Sequence, residues 1–204
     1  QNGKLNRQAE RSVDPQDVSQ RAVISAVYEL PFGRGKIWNV SSPPVNKFVG
    51  GWQVNTIGTI QTGLPLTVRG ANNYLANRPN STGTSAKLDN PSSTQWFNTA
   101  LWKKPDGTAV ALPEAYTLRN FPYLFSDVRR PGYQNWDASV SKYFPIKENL
   151  KLQFRFEMIN MMNHPWFSSM ASGGTDVTNA AFGRLDPRQR NLPRYIKLVL
   201  HLNW

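Results

Sequence analysis

Leu150-Lys-Leu-Gln-Phe-Arg-Phe-Glu-Met158 is the stretch that decides the fold. Leu150, Leu152, Phe154, Phe156 and Met158 take every second position, and Lys151, Gln153, Arg155 and Glu157 take the others. Successive side chains of a strand point to opposite faces, so this alternation predicts a strand with one apolar and one charged face. The pattern runs from 150 to about 162. Towards the carboxyl end it recurs over 194–204. There Ile196, Leu198, Leu200, Leu202 and Trp204 alternate with Tyr195, Lys197, Val199, His201 and Asn203.

Three more stretches alternate towards the amino end. Over 133–144, Trp136, Ala138, Val140 and Phe144 oppose Asn135, Asp137, Ser139 and Ser141. Over 51–68, Trp52, Val54, Thr56, Gly58 and Ile60 oppose Gln53, Asn55, Ile57, Thr59 and Gln61, with Gly63 and Pro65 breaking the far end. Over 18–30, Ala22, Ile24, Ala26, Tyr28 and Leu30 share a face, and Pro31-Phe32-Gly33 stops the strand. Helical periodicity is scarce. The chain therefore reads as all-β, an antiparallel meander of about five long strands.

The connections between them differ in length. Residues 145–149 make a short turn and 31–50 a medium linker, whereas 69–132 and 163–193 are long and rich in Asn, Gly, Pro and Ser. Structureless connections beyond ~15 residues are uncommon in compact soluble domains. Membrane-spanning β-barrels combine short periplasmic turns with long extracellular loops, and their strands need roughly 9–11 residues to cross the apolar layer. With the carboxyl end placed in the periplasm, both long connections fall outside and both shorter ones inside. Tyr28, Trp52, Phe144 and Trp204 lie near strand ends, where aromatic rings favour the headgroup level. The expected architecture is a segment of a large transmembrane barrel. A soluble β-sandwich carrying a carbohydrate- or peptide-binding loop is the alternative, since its strands alternate too.

Composition narrows the function. The 204 residues hold 24 Lys+Arg, 13 Asp+Glu, two His and no Cys, for a net charge of +11. The missing cysteines exclude disulfides, thiolate metal sites and a cysteine nucleophile. The longest apolar run is Ala109 to Leu112, far short of the ~20 residues of a spanning helix. Gln1-Asn2-Gly3-Lys4 has no apolar signal core and no initiator Met, so the chain is expected to be part of a longer one. The positive excess is +4 over residues 1–70, +3 over 71–132 and +4 over 133–204, an even spread that speaks against nucleic-acid binding.

A catalytic constellation is not expected. His164 and His201 stand far apart with no acid at ligand spacing, and no serine sits in a Gly-x-Ser-x-Gly elbow. Glu157 has no second acid nearby for glycoside hydrolysis. Gly33-Arg34-Gly35-Lys36 lacks the spacing of a phosphate loop and reads as a periplasmic turn with solvated charges. Arg129-Arg130 is expected to pair locally with Asp127. No enzyme activity, cofactor or metal is expected. The candidate substrate contacts are the loop aromatics Trp96, Trp102 and Tyr116 and the charged face Lys151, Arg155 and Glu157. Either set has a plainer account, as a small loop core and as a charged lumen ladder respectively. Ile196, Leu198, Leu200, Leu202 and Trp204 are candidates for the terminal signal read by the barrel-assembly machinery.

Several motifs, in order, cover nearly the whole chain. They are Val27-Tyr-Glu-Leu-Pro-Phe-Gly-Arg-Gly-Lys36, Gly50-Gly-Trp-Gln-Val54, Gln61-Thr-Gly-Leu-Pro-Leu66, Asn77-Arg-Pro-Asn80 and Trp96-Phe-Asn-Thr99. Then come Arg130-Pro-Gly-Tyr-Gln-Asn-Trp-Asp137, Leu152-Gln-Phe-Arg-Phe-Glu157, Asn160-Met-Met-Asn-His-Pro165 and Phe182-Gly-Arg184. With them the chain resembles the carboxyl-terminal part of Oar-like TonB-dependent outer-membrane receptors. The resemblance implies a gated transporter whose barrel is plugged by an amino-terminal domain and energised through TonB. Barrels of this kind have 22 strands, so plug, TonB-contact segment and most strands are expected outside these 204 residues. The implied partners are outer-membrane lipid, the plug and other strands of a parent chain, TonB through that parent, and the barrel-assembly machinery.

Overall fold

The computed structural model describes residues 11–69, 84–101 and 124–204. Its chain forms two compact units. One comprises residues 21–60, 134–165 and 191–204 and holds nearly all of the sheet; the other comprises the described residues within 1–20, 61–133 and 166–190.

The sheet has five strands in sequence order: β1 (Arg21–Glu29), β2 (Trp52–Gln61), β3 (Tyr133–Lys147), β4 (Leu150–Ile159) and β5 (Tyr195–Asn203). Each is 9 residues or longer, enough to cross an apolar layer. Cross-strand register fixes the faces. Leu152, Phe154, Phe156 and Met158 of β4 lie opposite Leu202, Leu200, Leu198 and Ile196 of β5. On the other side Phe144, Lys142, Val140 and Ala138 of β3 complete those rows. One face is thus a continuous apolar surface interrupted by a single lysine. Among the described residues no second sheet covers it, which sets the fold apart from the sandwich alternative.

The strand ends have local causes. β3 runs past Pro145 to Lys147 with a register shift there, so the turn to β4 is tighter than the expected 145–149. β2 stops at Gln61 and not at 68. Beyond it the chain pairs irregularly with the 128–130 segment, Leu66 N–H donating to Val128 O at 3.0 Å and Arg130 N–H to Leu64 O at 2.8 Å. β4 stops at Ile159 because Asn160 and Asn163 adopt left-handed backbones, with φ of 49° and 50°. At Gly58 a Cβ would sit 2.5 Å from the Trp136 ring, so glycine makes room for the indole on the neighbouring strand.

The 31–50 linker contains a short helix, α1 (Pro43–Val49), that strand alternation does not foresee. Proline at its first positions is pre-set for a helix start, and Val45, Phe48 and Val49 fall on one side at i, i+3 and i+4.

The second unit gathers the described parts of the long connections around a core of its own. Leu66, Val68, Phe97, Phe125, Val177 and Phe182 are buried together, with Trp96 and Met170 packed against them. Phe97 and Phe182 meet edge to face at 5.2 Å. Arg129 pairs with Asp17, not with neighbouring Asp127, and donates further bonds to the carbonyls of Asp17 at 2.9 Å and Gly63 at 3.2 Å. The partner is 112 positions away in sequence, which no local reading can reach.

Candidate functional site

Two places in the sheet unit concentrate polar groups. The first is the charged face. Register brings Lys151, Gln153, Arg155 and Glu157 of β4 opposite Asn203, His201, Val199 and Lys197 of β5. Arg155 donates to Glu157 at 3.0 Å, and Lys197 Nζ stands 4.0 Å from the other Glu157 oxygen. Glu157 is therefore a carboxylate between two cations. Across β3 the same face continues through Ser139 and Ser141, and Asn55 of β2 reaches Ser139 at 3.4 Å. A mainly apolar cleft of about 280 Å³, bordered by Val27, Ile57, Met158 and Ile159, also meets Asn55, Ser139 and Glu157. The arrangement can bind through charge and hydrogen bonds.

Of the residues singled out from sequence, Lys151, Arg155 and Glu157 share this face as expected from alternation. Lys197 completes the ion-pair group and was missed. Its place opposite Glu157 depends on register, which alternation alone does not fix. Trp96 is half-buried in the other unit, and its indole N–H donates to Arg129 O at 2.7 Å. That geometry gives it a packing role in the loop core. Trp102 and Tyr116 lie outside the described residues. Ile196, Leu198, Leu200 and Leu202 form the exposed apolar face of β5, while Trp204 lies one residue beyond the strand and is 91% exposed.

The second place is the end of the sheet that carries the β3–β4 turn. Lys142 sits on the apolar face yet is only 3% exposed. Its ammonium donates to the carbonyls of Phe48, at 3.0 Å, and of Gly50. Trp52 Nε1 donates to the same Phe48 carbonyl at 2.9 Å. These are orphan carbonyls at the carboxyl end of α1, where a cation is favourable. The ammonium also lies 5.0 Å from the Phe144 ring and 5.5 Å from Trp52. A lysine on a lipid-facing row costs ~2–4 kcal/mol at mid-bilayer and little near the interface. Here it stands opposite Phe154 of β4 and is capped by the helix.

At the other end of the same strands Asn160, 1% exposed, ties three segments together. Its side chain donates to Leu192 O at 2.9 Å and His164 O at 3.3 Å, and accepts from His164 N–H at 3.0 Å. Its own N–H donates to Asp137 at 2.8 Å. His164 thus precedes Pro165 in a turn held through its backbone, and His201 lies on the charged face opposite Gln153.

An extended sheet with an uncovered apolar face and a charged face is suited to the wall of a membrane-spanning barrel. Comparison with protein families gives the same class: residues 1–197 match the outer membrane beta barrel domain. The chain belongs to that family, and its location is the bacterial outer membrane. No curated protein and no solved structure matched.

Proposed function

We propose that the chain is the carboxyl-terminal barrel segment of a TonB-dependent receptor of the Oar-like kind, serving substrate uptake and catalysing no reaction. The observation that carries the reading is the β3–β4–β5 register. It places a lipid-compatible surface on one side and the Arg155–Glu157–Lys197 group on the other, as a wall with a polar lumen requires. The ordered motifs add the family-level detail. In this reading the edges of β1 and β5 pair with further strands of a parent chain, because a spanning sheet must satisfy its backbone internally. Lys151, Arg155 and Glu157 line the lumen, and the loop that bears Trp96, Trp102 and Tyr116 captures ligand on the outside.

The test is the mass, location and partner of the native polypeptide. An antibody to residues 188–204 is used on separated cell fractions after in-cell crosslinking. The expected result is a band several times larger than 23.1 kDa in the outer membrane, shifted by a crosslink to TonB. A band near 23.1 kDa without that crosslink would overturn the receptor reading while leaving the barrel fold in place.

A further inference from the structure

We infer that the end of the sheet bearing α1 holds a site for the phosphate headgroup of an anionic phospholipid in the periplasmic leaflet. The inference rests on the proposed orientation, with the β1–β2 and β3–β4 connections on the periplasmic side.

Three observations meet there. The first is charge. A cleft of about 360 Å³ is lined by Arg34, Lys36, Lys47 and Lys142, together with Asn46 and Gly33 among others. Lys36 is paired with Glu29 at 2.8 Å. Arg34, Lys47 and Lys142 have no carboxylate partner among the described residues. Lys142 spends its bonds on the carbonyls at the carboxyl end of α1, so it offsets the helix end and leaves the open charge of the cleft to Arg34 and Lys47. Two cations without a carboxylate partner, Arg34 and Lys47, on one cavity favour an anion, and the volume admits a phosphate ester with its glycerol.

The second is the apolar border. Val45, Phe48 and Val49 line one side of α1, and all three are exposed. Ile37 is 84% exposed, and Trp38 is exposed beside it, stacked on Phe32 at 4.5 Å. Apolar residues flanking a basic cleft on a membrane barrel fit acyl chains beneath a headgroup. The third is position. Lys142 and Trp52, the first residue of β2, fasten α1 to the sheet's lipid-facing side at the end where the β1–β2 connection enters, and a headgroup would lie at that end in the proposed orientation. A free phosphate would use the charge but would leave the apolar border bare.

The test uses the full-length outer-membrane protein, purified in detergent and exchanged into vesicles of phosphatidylcholine with or without phosphatidylglycerol. Retained lipid is counted by native mass spectrometry after re-extraction. The wild-type protein is expected to keep phosphatidylglycerol over phosphatidylcholine, and Arg34→Gln with Lys47→Gln to reduce that retention by about tenfold or more. Unchanged heat-modifiable mobility on gels shows that the variant barrel is folded. Equal retention of the two lipids, or retention unaffected by the substitutions, overturns the site. Displacement of the lipid by millimolar inorganic phosphate assigns the cleft to a soluble anion and overturns the lipid source. A label at Ser41→Cys, read against the same protein without that substitution, reports orientation separately. Reaction only after the outer membrane is permeabilised supports the periplasmic placement. Reaction on intact cells overturns that placement and the leaflet with it, whatever the lipid counts.

Discussion

Asn160 shows how one side chain can hold a strand end. It is the rare non-glycine residue that tolerates a left-handed backbone, and its amide is consumed by His164 and Leu192. Asn160→Ala removes those bonds to the backbone of His164 and Leu192, at a cost of about 1–2 kcal/mol. Asn160→Gly relieves the backbone but loses the same bonds, so it should also destabilise. Heat-modifiability midpoints of the folded barrel compare them; a glycine variant as stable as wild type would show that the backbone, and not the amide, matters. Asp186 offers a pH test in the other unit. Hydrogen bonds from the Arg188 side chain and backbone, with Arg190 adjacent, hold its carboxyl down at about 2. A lowered folded-state value stabilises at pH above the ordinary carboxylate range, and that contribution is lost as pH falls from about 4 towards 2. Hydrogen exchange at residues 184–190 should therefore rise over that window in the wild type, beyond the intrinsic rate change. In Asp186→Asn the exchange is expected to be fast already at pH 5 and to lack the extra rise.

At the scale of elements, alternation made the strands legible because each position reports a face. The sequence reading of β4 and β5 placed the same residues on the apolar and charged faces as the register does. Lys142 escaped notice because one cation in a row with Trp136, Ala138, Val140 and Phe144 reads as an exception; its even parity was the available signal. Helix α1 escaped because seven residues begun by two prolines give little period to detect. The Arg155–Glu157 pair lay within one strand and was visible, whereas Lys197 needed the register. The terminal strand yields a prediction of its own. Leu202 faces Leu152 on the apolar side, and Asn203 faces Lys151 on the charged side. If the assembly machinery reads the apolar row with its final aromatic residue, Trp204→Asp should lower outer-membrane recovery severalfold more than Asn203→Asp, which adds a carboxylate beside Lys151. Equal recovery of the two variants, measured in membrane fractions at equal synthesis, would remove the terminal-signal role.

For the whole molecule the division into two units matters most. The unit without the sheet carries the more fully buried core: Leu66, Phe97 and Phe182 lie inside, while the sheet leaves Leu198 and Leu200 uncovered. The loop aromatics suggest a small loop core, and Trp96, Phe97 and Phe125 lie in it; Leu66, Val68, Val177 and Phe182 carry no such signal, because they are scattered over residues 66–182 without a period. Burial without a period comes from irregular chain paths, and those are fixed by contacts such as Asp17–Arg129. The two units depend on different solvents. One is closed by its own apolar packing, and the other needs lipid on its open face. Truncation of a buried aromatic in the first should therefore be felt there and not in the second. Phe97→Ala removes a side chain that is buried and packed on Phe182, at about 3–5 kcal/mol. Protease added to intact cells should then cut the 84–101 and 166–190 segments much faster. The heat-modifiable mobility of the membrane-embedded strands should stay as in the wild type. Loss of that mobility in Phe97→Ala would show instead that loops and strands fold as one cooperative body.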